Sequence, residues 1–202
     1  MTESHLLAIN TVTGCCSVAV SNGTILLNKK TILADRGHSE IIMPLIETVL
    51  KESELHVDNL TGFLVCTGPG NYTSLRIAIS VTRAFALARN KPACGISLFE
   101  LLSTNQPKVL VLVKGPEEKI YTQEFSNGLQ VNAPRLLTLD EIKKTEEFFG
   151  CTTIGYQAKK IGKVLNSESY VHAPMISFNK FFAIGLNKLK KGYPRPSPIY
   201  IK

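Results

Sequence analysis

The segment best suited to chemistry is a glycine-rich stretch, residues 67–74 with the sequence TGPGNYTS, which follows an apolar run and opens an amphipathic one. Glycines let the backbone turn tightly and approach another group closely, and the free N–H groups at a helix N-terminus suit phosphate. The stretch contains neither the GxxxxGKS/T pattern nor the GxGxxG pattern. A phosphate site and a turn with structural glycines are both open interpretations. The residues of such a degenerate nucleotide loop are Asn10, Gly68, Pro69, Gly70, Asn71 and Thr73.

Residue types that bind metals or act as nucleophiles are scattered along the chain. No histidines have HxxxH spacing, no cysteines have CxxC spacing, and no Ser–His–Asp set stands out, which disfavours a zinc site and a peptidase. His38, at the start of a predicted helix, is interpreted as a capping or packing residue. The five cysteines lie in apolar stretches and are predicted to be buried free thiols in a reducing compartment. The sequence therefore predicts no catalytic residue and no metal site.

Basic residues are concentrated in the last quarter of the chain. The net charge is +7, but residues 151–202 contain nine Lys or Arg and one acidic residue, Glu168. Such a patch attracts a phosphate backbone or an acidic protein, although a solvated lysine-rich face is the simpler explanation. If the patch faces RNA, the residues concerned are Lys180, Lys188, Lys190, Lys191 and Arg195.

The elements that would position these residues follow the order β-β-β-α-β-α through residue 89. Tight turns join the first three strands, and Asn22-Gly23 is a strong hairpin signal because both residues tolerate positive φ. Helical periodicity over residues 38–53 and 73–89 predicts two amphipathic helices. Ser39 is a candidate cap for the first helix, and Pro44 is expected to kink it or to delay its regular start.

A three-stranded meander followed by helix–strand units is the order of the actin-like and ribonuclease-H-like (ASKHA) α/β fold, whereas a Rossmann sheet starts β-α-β. We predict two small subdomains, each with a mixed sheet flanked by helices, over residues 1–104 and 105–202. A length of 202 residues, with 44% hydrophobic and 19% charged residues, fits this size and excludes a disordered or collagen-like chain. We expect a protein of the cytoplasm, without a leader or a membrane span.

Four pieces of the sequence together resemble the TsaB (YeaZ) family. They are LAINT at residues 7–11 with CSVAV at 16–20; RGHSE at 36–40 with MPLI at 43–46; GPG at 68–70 with Thr73 and LRI at 75–77; and PIYIK at 198–202. The resemblance is strong over residues 5–100 and thin beyond, except at the C-terminal end. It implies two actin-like subdomains and a role in making threonylcarbamoyladenosine on tRNA.

The resemblance also implies a scaffold subunit without catalytic activity of its own. Such a subunit binds a catalytic paralogue, TsaD, and an ATPase, TsaE, for threonylcarbamoyl transfer to N6 of the adenosine 3′ of the anticodon. ATP and a metal are then expected only in the partner subunits. Asn10 stands where the family usually has Asp, and an amide brings no negative charge to a metal-bound nucleotide. The alternatives are a stand-alone actin-like phosphotransferase or a small-ligand-binding protein that uses residues 68–74.

The two predicted helices carry the expected interface with the paralogue, and the same surface is expected to form any homodimer. The first helix has two apolar lines, one formed by Ile41, Leu45 and Val49 and the other by Ile42, Ile46 and Leu50. One line packs on the sheet and the other is available to a partner helix; alternatively, both lines belong to the core. The second helix is rich in small residues, with Arg76 and Arg83 on roughly one face. The predicted interface residues are Ile41, Ile42, Leu45, Ile46, Val49, Arg76, Ser80, Arg83 and Ala84.

Overall fold

Through residue 89, strands and helices follow the predicted order β-β-β-α-β-α. The structure is a computed structural model that describes residues 4–12, 14–167, 170–172, 176–192 and 194–201. The strands are β1 (His5–Asn10), β2 (Cys15–Asn22), β3 (Ile25–Leu33), β4 (Leu60–Cys66), β5 (Ala93–Ile96), β6 (Val109–Lys114), β7 (Ile120–Ser126), β8 (Leu129–Gln130), β9 (Arg135–Leu137), β10 (Thr152–Gly155) and β11 (Tyr170–His172). The helices are α1 (His38–Glu52), α2 (Tyr72–Ala88), α3 (Leu98–Leu102), α4 (Leu139–Lys144), α5 (Ala158–Val164) and α6 (Phe178–Lys190), with 3₁₀ turns at Val57–Asn59 and Glu146–Phe148.

The chain divides into two compact units, of which the first contains Met1–Leu98 and Ser177–Ile199. Its five-stranded sheet has the order β3-β2-β1-β4-β5. Strands β1, β2 and β3 form the expected antiparallel meander, and β4 and β5 add to it in parallel. The predicted hairpin is confirmed, since β2 ends at Asn22 and Gly23 has a φ of 59°. This mixed sheet places the ends of β1 and β4 side by side.

Helices α1 and α2 cover one face of this sheet. Because side chains alternate along a strand, Phe63 and Val65 of β4 join the same core as Leu75 and Ala78 of α2, whereas Leu64 points to the other face. Helix α1 packs mainly on β2 and also touches α2. It starts at His38 and runs through Pro44 to Glu52, so Pro44 does not delay its start.

Helix α6 lies on the opposite face, against β5, β3, β1 and β4. The contact is close, because a Cβ at Gly62 of β4 would lie 2.7 Å from the side chain of Leu189. The predicted division at residues 104 and 105 placed this helix with the C-terminal half. The structure instead groups it with the first unit, because the apolar side of α6 fills the sheet face that α1 and α2 leave uncovered.

Gly185 of α6 gives this packing a direct test. Alanine is favoured over glycine in an open helix by about 1 kcal/mol, but a Cβ at Gly185 would collide with the side chain of Leu64. We therefore expect Gly185→Ala to lower the free energy of unfolding by about 1–3 kcal/mol, the cost of overpacking a core. Urea unfolding followed by circular dichroism measures the change. Asn187→Ala, at an exposed position of the same helix, is the control and is expected to cause no loss; equal stability of the two variants would contradict the packing.

The second unit contains Phe99–Ile176 and Tyr200–Lys202. Its sheet has the order β11-β10-β6-β7-β8, with β9 paired to β7. Glu124 of β7 is largely buried and forms an ion pair with Arg135 at 3.2 Å. Burial raises the pKa of the Glu124 carboxyl above its usual value, and the hydrogen bond from Asn132 opposes that shift. The network holds β7 to the segment that follows β8, and thus has a structural role.

The five cysteines are buried free thiols, as predicted. Burial raises the pKa of the Cys16 and Cys151 thiols to about 11, which keeps both protonated at neutral pH and unreactive. Within the described residues, no group of three His, Cys, Asp or Glu side chains is arranged to hold a metal ion. The same residues contain no helix that is both long and apolar enough to span a bilayer.

Candidate functional site

The glycine-rich loop is clamped to the turn that follows β1. Thr11 Oγ1 donates a hydrogen bond to the carbonyl oxygen of Ser74 at 3.1 Å, and Ser74 Oγ donates one to the carbonyl oxygen of Thr11 at 3.0 Å. Gly70 lies so close to Val12 that an added Cβ would collide with the valine side chain. The space between the two turns is therefore filled by protein atoms, and Val12 occupies the position nearest to the loop.

The N-terminus of α2 is also capped from within the chain. The Oδ1 atom of Asn71 accepts hydrogen bonds from the backbone N–H groups of Thr73 at 3.0 Å and Ser74 at 3.1 Å. The next amide, of Leu75, donates to the carbonyl oxygen of Asn71 at 3.1 Å. The amides of Thr73 and Ser74 are among the donors that a phosphate at a helix N-terminus would use, and the Leu75 amide is engaged in the first hydrogen bond of the helix. Of the two open interpretations of the loop, the hydrogen bonds favour the structural turn.

Asn71 is expected to contribute to stability through this cap. Asn71→Ala removes the acceptor shared by two amides and should lower the free energy of unfolding by about 1 kcal/mol. Asn71→Asp keeps an acceptor at the same place and should stay within a few tenths of a kcal/mol of the unchanged chain. Urea unfolding of the unchanged chain and of the two variants measures these differences in the free energy of unfolding. Equal losses in the alanine and aspartate variants would show that the cap is not the cause.

The other loop residues are divided between core and surface. Asn10 is 2% exposed, and its Oδ1 accepts a hydrogen bond from the amide of Val12 at 3.3 Å, which holds the first turn. Pro69 is buried, whereas Thr73 is exposed. Gly68 has a φ of 88°, a conformation that favours glycine. The predicted loop thus exists at the predicted place, and its polar atoms largely serve the fold.

The predicted interface on α1 requires a correction. Ile42, Leu45, Ile46 and Val49 are all buried in the first unit, with exposed fractions of 6% or less, and Ile41 is half-buried. Both apolar lines of the helix therefore belong to the core, which is the alternative that the sequence left open. The sheet face and α2 together are wide enough to cover both lines. The exposed side of α1 consists instead of Ser39, Glu40, Met43, Pro44, Glu47, Thr48, Lys51 and Glu52.

Helix α2 does present the residues predicted for it. Arg76, Ser80, Arg83 and Ala84 are all exposed, and the helical repeat places them on one side. The structure adds Leu87, which is 77% exposed on the same side; its spacing of seven residues from Ser80 was the signal in the sequence. We refer to these five residues as the α2 face.

The α2 face combines small and cationic side chains. Ser80 and Ala84 lie one turn apart and leave the helix backbone accessible, which permits a second helix to pack closely. The guanidinium group of Arg76 lies over the Tyr72 ring, 3.8 Å from its centroid, and also donates to the Tyr72 hydroxyl. That contact holds Arg76 at one end of the face. The arrangement suits the docking of a protein helix and contains no group that could activate a substrate.

The predicted basic patch is not one uniform surface. Lys188 donates a hydrogen bond from Nζ to the carbonyl oxygen of Gly95 at 3.2 Å, and Lys180 is half-buried. Lys190 and Lys191 are exposed at the end of α6, as is Arg195 beyond it. Arg195 lies with Arg83 and Lys91 around a cleft at the end of α2. Lys188 therefore contributes to the packing of α6, whereas Lys190, Lys191 and Arg195 are exposed and could contact another molecule.

His38 packs in the core and does not cap α1. The N-cap is Gly37, without a side-chain hydrogen bond, and Ser39 lies inside the helix and donates to the Glu40 carboxylate. His38 is 5% exposed, and its Nε2 atom has no hydrogen-bond partner among the described residues. Of the two roles predicted for His38, the structure supports packing, and the predicted cap at Ser39 is wrong.

Comparison with known proteins identifies the family. Residues 31–190 match the family model described as "TsaD: tRNA N6-adenosine threonylcarbamoyltransferase". The chain is 28% identical to the tRNA threonylcarbamoyladenosine biosynthesis protein TsaB of Escherichia coli over 135 residues, which are 62% of this chain and 58% of the relative. The matched segment thus spans less than two thirds of that relative.

Solved structures show the same fold. An uncharacterized protein from Pseudomonas aeruginosa, described as similar to peptidase YEAZ, superposes with a TM-score of 0.80 at 17% identity and covers 98% of this chain and 100% of its own. Component A of (R)-2-hydroxyglutaryl-CoA dehydratase from Acidaminococcus fermentans superposes with a TM-score of 0.53 at 12% identity, over 93% and 98% of the two chains. The predicted actin-like fold is confirmed. The chain belongs to the TsaB (YeaZ) family, within the larger group of proteins that the TsaD family model describes.

Proposed function

We propose that this protein is a non-catalytic subunit of a tRNA threonylcarbamoyladenosine transferase assembly, in which it binds a TsaD-like catalytic paralogue through the α2 face. The observation that carries the proposal is the α2 face itself, which is exposed, contains two small residues one turn apart and ends in the exposed side chain of Leu87. A helix of a partner can approach such a face closely. Leu87 would then fill a pocket of the partner as an aliphatic anchor.

The hydrogen bonds of the glycine-rich loop support a non-catalytic role. The amides of Thr73 and Ser74 are engaged with Asn71, and the carbonyl oxygens of Thr11 and Ser74 accept from each other's hydroxyl groups. Asn10 supplies an amide where a metal-bound nucleotide needs a carboxylate. A stand-alone phosphotransferase, or a small-ligand protein that uses this loop, would need all these groups to rearrange. ATP and the metal of the reaction therefore belong to the partner subunits in this proposal.

The remaining parts of the proposal concern the other binding partners and the location in the cell. A TsaE-like ATPase is the third subunit of the assembly, and a homodimer through the α2 face is the state that competes with the heteromer. Contact with tRNA is weak or indirect and would use Lys190 and Lys191, because Lys188 is engaged with Gly95. The cytoplasm is the location that we propose, because the tRNA substrate is available there.

Size-exclusion chromatography with light scattering tests the proposal on the chain alone and on its mixture with the TsaD-like paralogue of the same cell. We expect a monomer or homodimer alone and a 1:1 heteromer in the mixture. If the two proteins never comigrate, with or without ATP and the ATPase subunit, the proposal is wrong. Calorimetric titration with ATP and Mg²⁺ is the parallel test of the phosphotransferase alternative. We expect no saturable heat for the isolated chain.

A further inference from the structure

A cationic cleft lies at the C-terminal end of α2, at the edge of the first sheet. Its walls come from the last turns of α2, the turn into β5 and the extended segment after α6, and its volume is about 590 Å³. We use the term cationic cleft for the hollow bounded by Arg83, Ala84, Leu87, Lys91, Arg195 and Pro196. All of these residues belong to the first unit. The cleft was not predicted, because it joins residues that are more than 100 positions apart.

The charges around the cleft are all of one sign. Arg83, Lys91 and Arg195 line it, and no acidic residue does. Within the described ranges, none of these three side chains forms a salt bridge. Arg89, by contrast, is paired with Asp58 at 2.6 Å only two positions before Lys91. Three cations around one hollow raise the local concentration of anions, and carboxylates or phosphates are the groups that would complete their interactions.

The walls between the cations are apolar. Leu87 is 77% exposed at the cleft, and the two neighbouring walls are formed by Ala84 and Pro196. An exposed leucine beside small and proline side chains offers a contact for a bulky apolar group. A ligand that covers the cleft should therefore carry both anionic groups and an apolar side chain, a combination that acidic peptides provide.

The walls are held in place before any ligand binds. Asn90 has a φ of 49°, and the amide of Lys91 donates to the carbonyl oxygen of Ala86 at 3.0 Å, which closes the end of α2 as a Schellman cap does. The carbonyl oxygen of Pro92 accepts from the amide of Phe63 at 3.0 Å. Prearranged walls lower the cost of ordering on binding, so the cleft is suited to capture a flexible segment.

The shape and composition of the cleft distinguish between classes of ligand. Small molecules bind in sites that bury most of their surface, but Arg83, Leu87, Lys91 and Arg195 are all exposed, so the cleft is an open groove. Bases of single-stranded nucleic acid stack on aromatic side chains, and none lines the cleft. We propose that the cationic cleft, which shares Arg83, Ala84 and Leu87 with the α2 face, binds an acidic peptide segment of the protein that docks on that face. An apolar side chain of the segment is then placed against Leu87, and the inference rests on the proposed function.

Fluorescence anisotropy on the isolated chain of 202 residues tests this proposal in the absence of the TsaD-like partner. The probe is a fluorescein-labelled peptide built from Glu and Asp with one central Leu. It has about ten residues, which span about 33 Å when fully extended. We expect saturable binding that weakens at least about tenfold in the double variant Arg83→Glu, Arg195→Glu, because like charges then face each other. The double variant Lys190→Glu, Lys191→Glu makes the same change in net charge on α6 and should retain binding within about twofold.

Several outcomes would overturn the proposal. The first is no binding of the peptide at about 1 mM, the level of a very weak complex. The second is an equal loss in both double variants, or equal binding of a peptide with Ser in place of the central Leu, since either result indicates attraction by net charge alone. The third is tight binding of a labelled RNA hairpin, lost in Arg83→Glu, Arg195→Glu, with no binding of the peptide. Circular dichroism of each variant verifies that it is folded.

Discussion

Ala84→Glu is expected to weaken binding of the TsaD-like partner roughly 30- to 150-fold while leaving the chain folded. Ala84 is exposed on α2 next to Ser80, so a glutamate costs little in the free protein. In a close helix–helix contact the larger side chain would keep the partner helix away from the α2 backbone, and its carboxylate would lose water, at a cost of about 2–3 kcal/mol. Isothermal titration of the partner into each protein measures the difference.

The matched control for this variant is Ala183→Glu. Ala183 is also an exposed alanine within a helix, but it belongs to α6 on the opposite face of the first sheet. Binding should remain within about twofold of the unchanged chain. If Ala183→Glu weakens binding as much as Ala84→Glu does, the partner does not dock on the α2 face.

Leu45→Glu is expected to unfold the chain, or to lower its free energy of unfolding by about 4 kcal/mol or more. Leu45 is 6% exposed in the core between α1, α2 and the sheet, so the substitution removes apolar packing and buries an unpaired carboxylate. A domain of this size is stable by only about 5–15 kcal/mol. Loss of partner binding in this variant would therefore report unfolding and not the interface.

Met43→Glu is the control for Leu45→Glu, because it places the same charge on the exposed side of α1. Met43 lies two residues from Leu45 but is 41% exposed, so its replacement should change the free energy of unfolding by no more than about 0.5 kcal/mol. Urea unfolding of both variants, followed by circular dichroism, gives the comparison. Similar stabilities for Leu45→Glu and Met43→Glu would show that the assignment of the core side of α1 is wrong.

Local pattern was enough to predict the first half of the fold. The hairpin was predicted from two adjacent residues, Asn22 and Gly23, of which only Gly23 adopts a positive φ. Helices α1 and α2 were predicted from apolar spacing within one helix. The actin-like fold then followed from the order of these elements. Each of these signals lies within about twenty residues of sequence, and none required knowledge of what packs against it.

Long-range contacts account for what the sequence did not predict. Helix α6 returns to the first unit because Gly185 and Gly62 let it approach β4 closely, and nothing in the local sequence of α6 indicates that partner. The lysine-rich composition of the last quarter indicated an exposed basic surface instead. The predicted boundary assumed that each unit is one continuous stretch of sequence. The first unit instead contains two separate stretches, and α6 belongs to the second of them.

The candidate site was predicted only in part for the same reason. The α2 face could be predicted from the helical repeat. Leu87 was missed although it lies seven residues after Ser80, because a leucine is typical of a core position. The two apolar lines of α1 could not be assigned, because their burial depends on how much of the helix the sheet and α2 cover. The clamp between Thr11 and Ser74 joins residues 63 positions apart, and no spacing rule predicts it.

Hydrogen–deuterium exchange of the chain, alone and with the TsaD-like partner, tests the docking surface most directly. We predict that amide exchange slows about tenfold or more across residues 76–88 of α2 in the mixture, because a docked helix suppresses local opening. Exchange in α6 and in β6 and β7 of the second unit should not change. A complex that forms while α2 exchanges as it does in the free chain would contradict the central claim that the partner binds the α2 face.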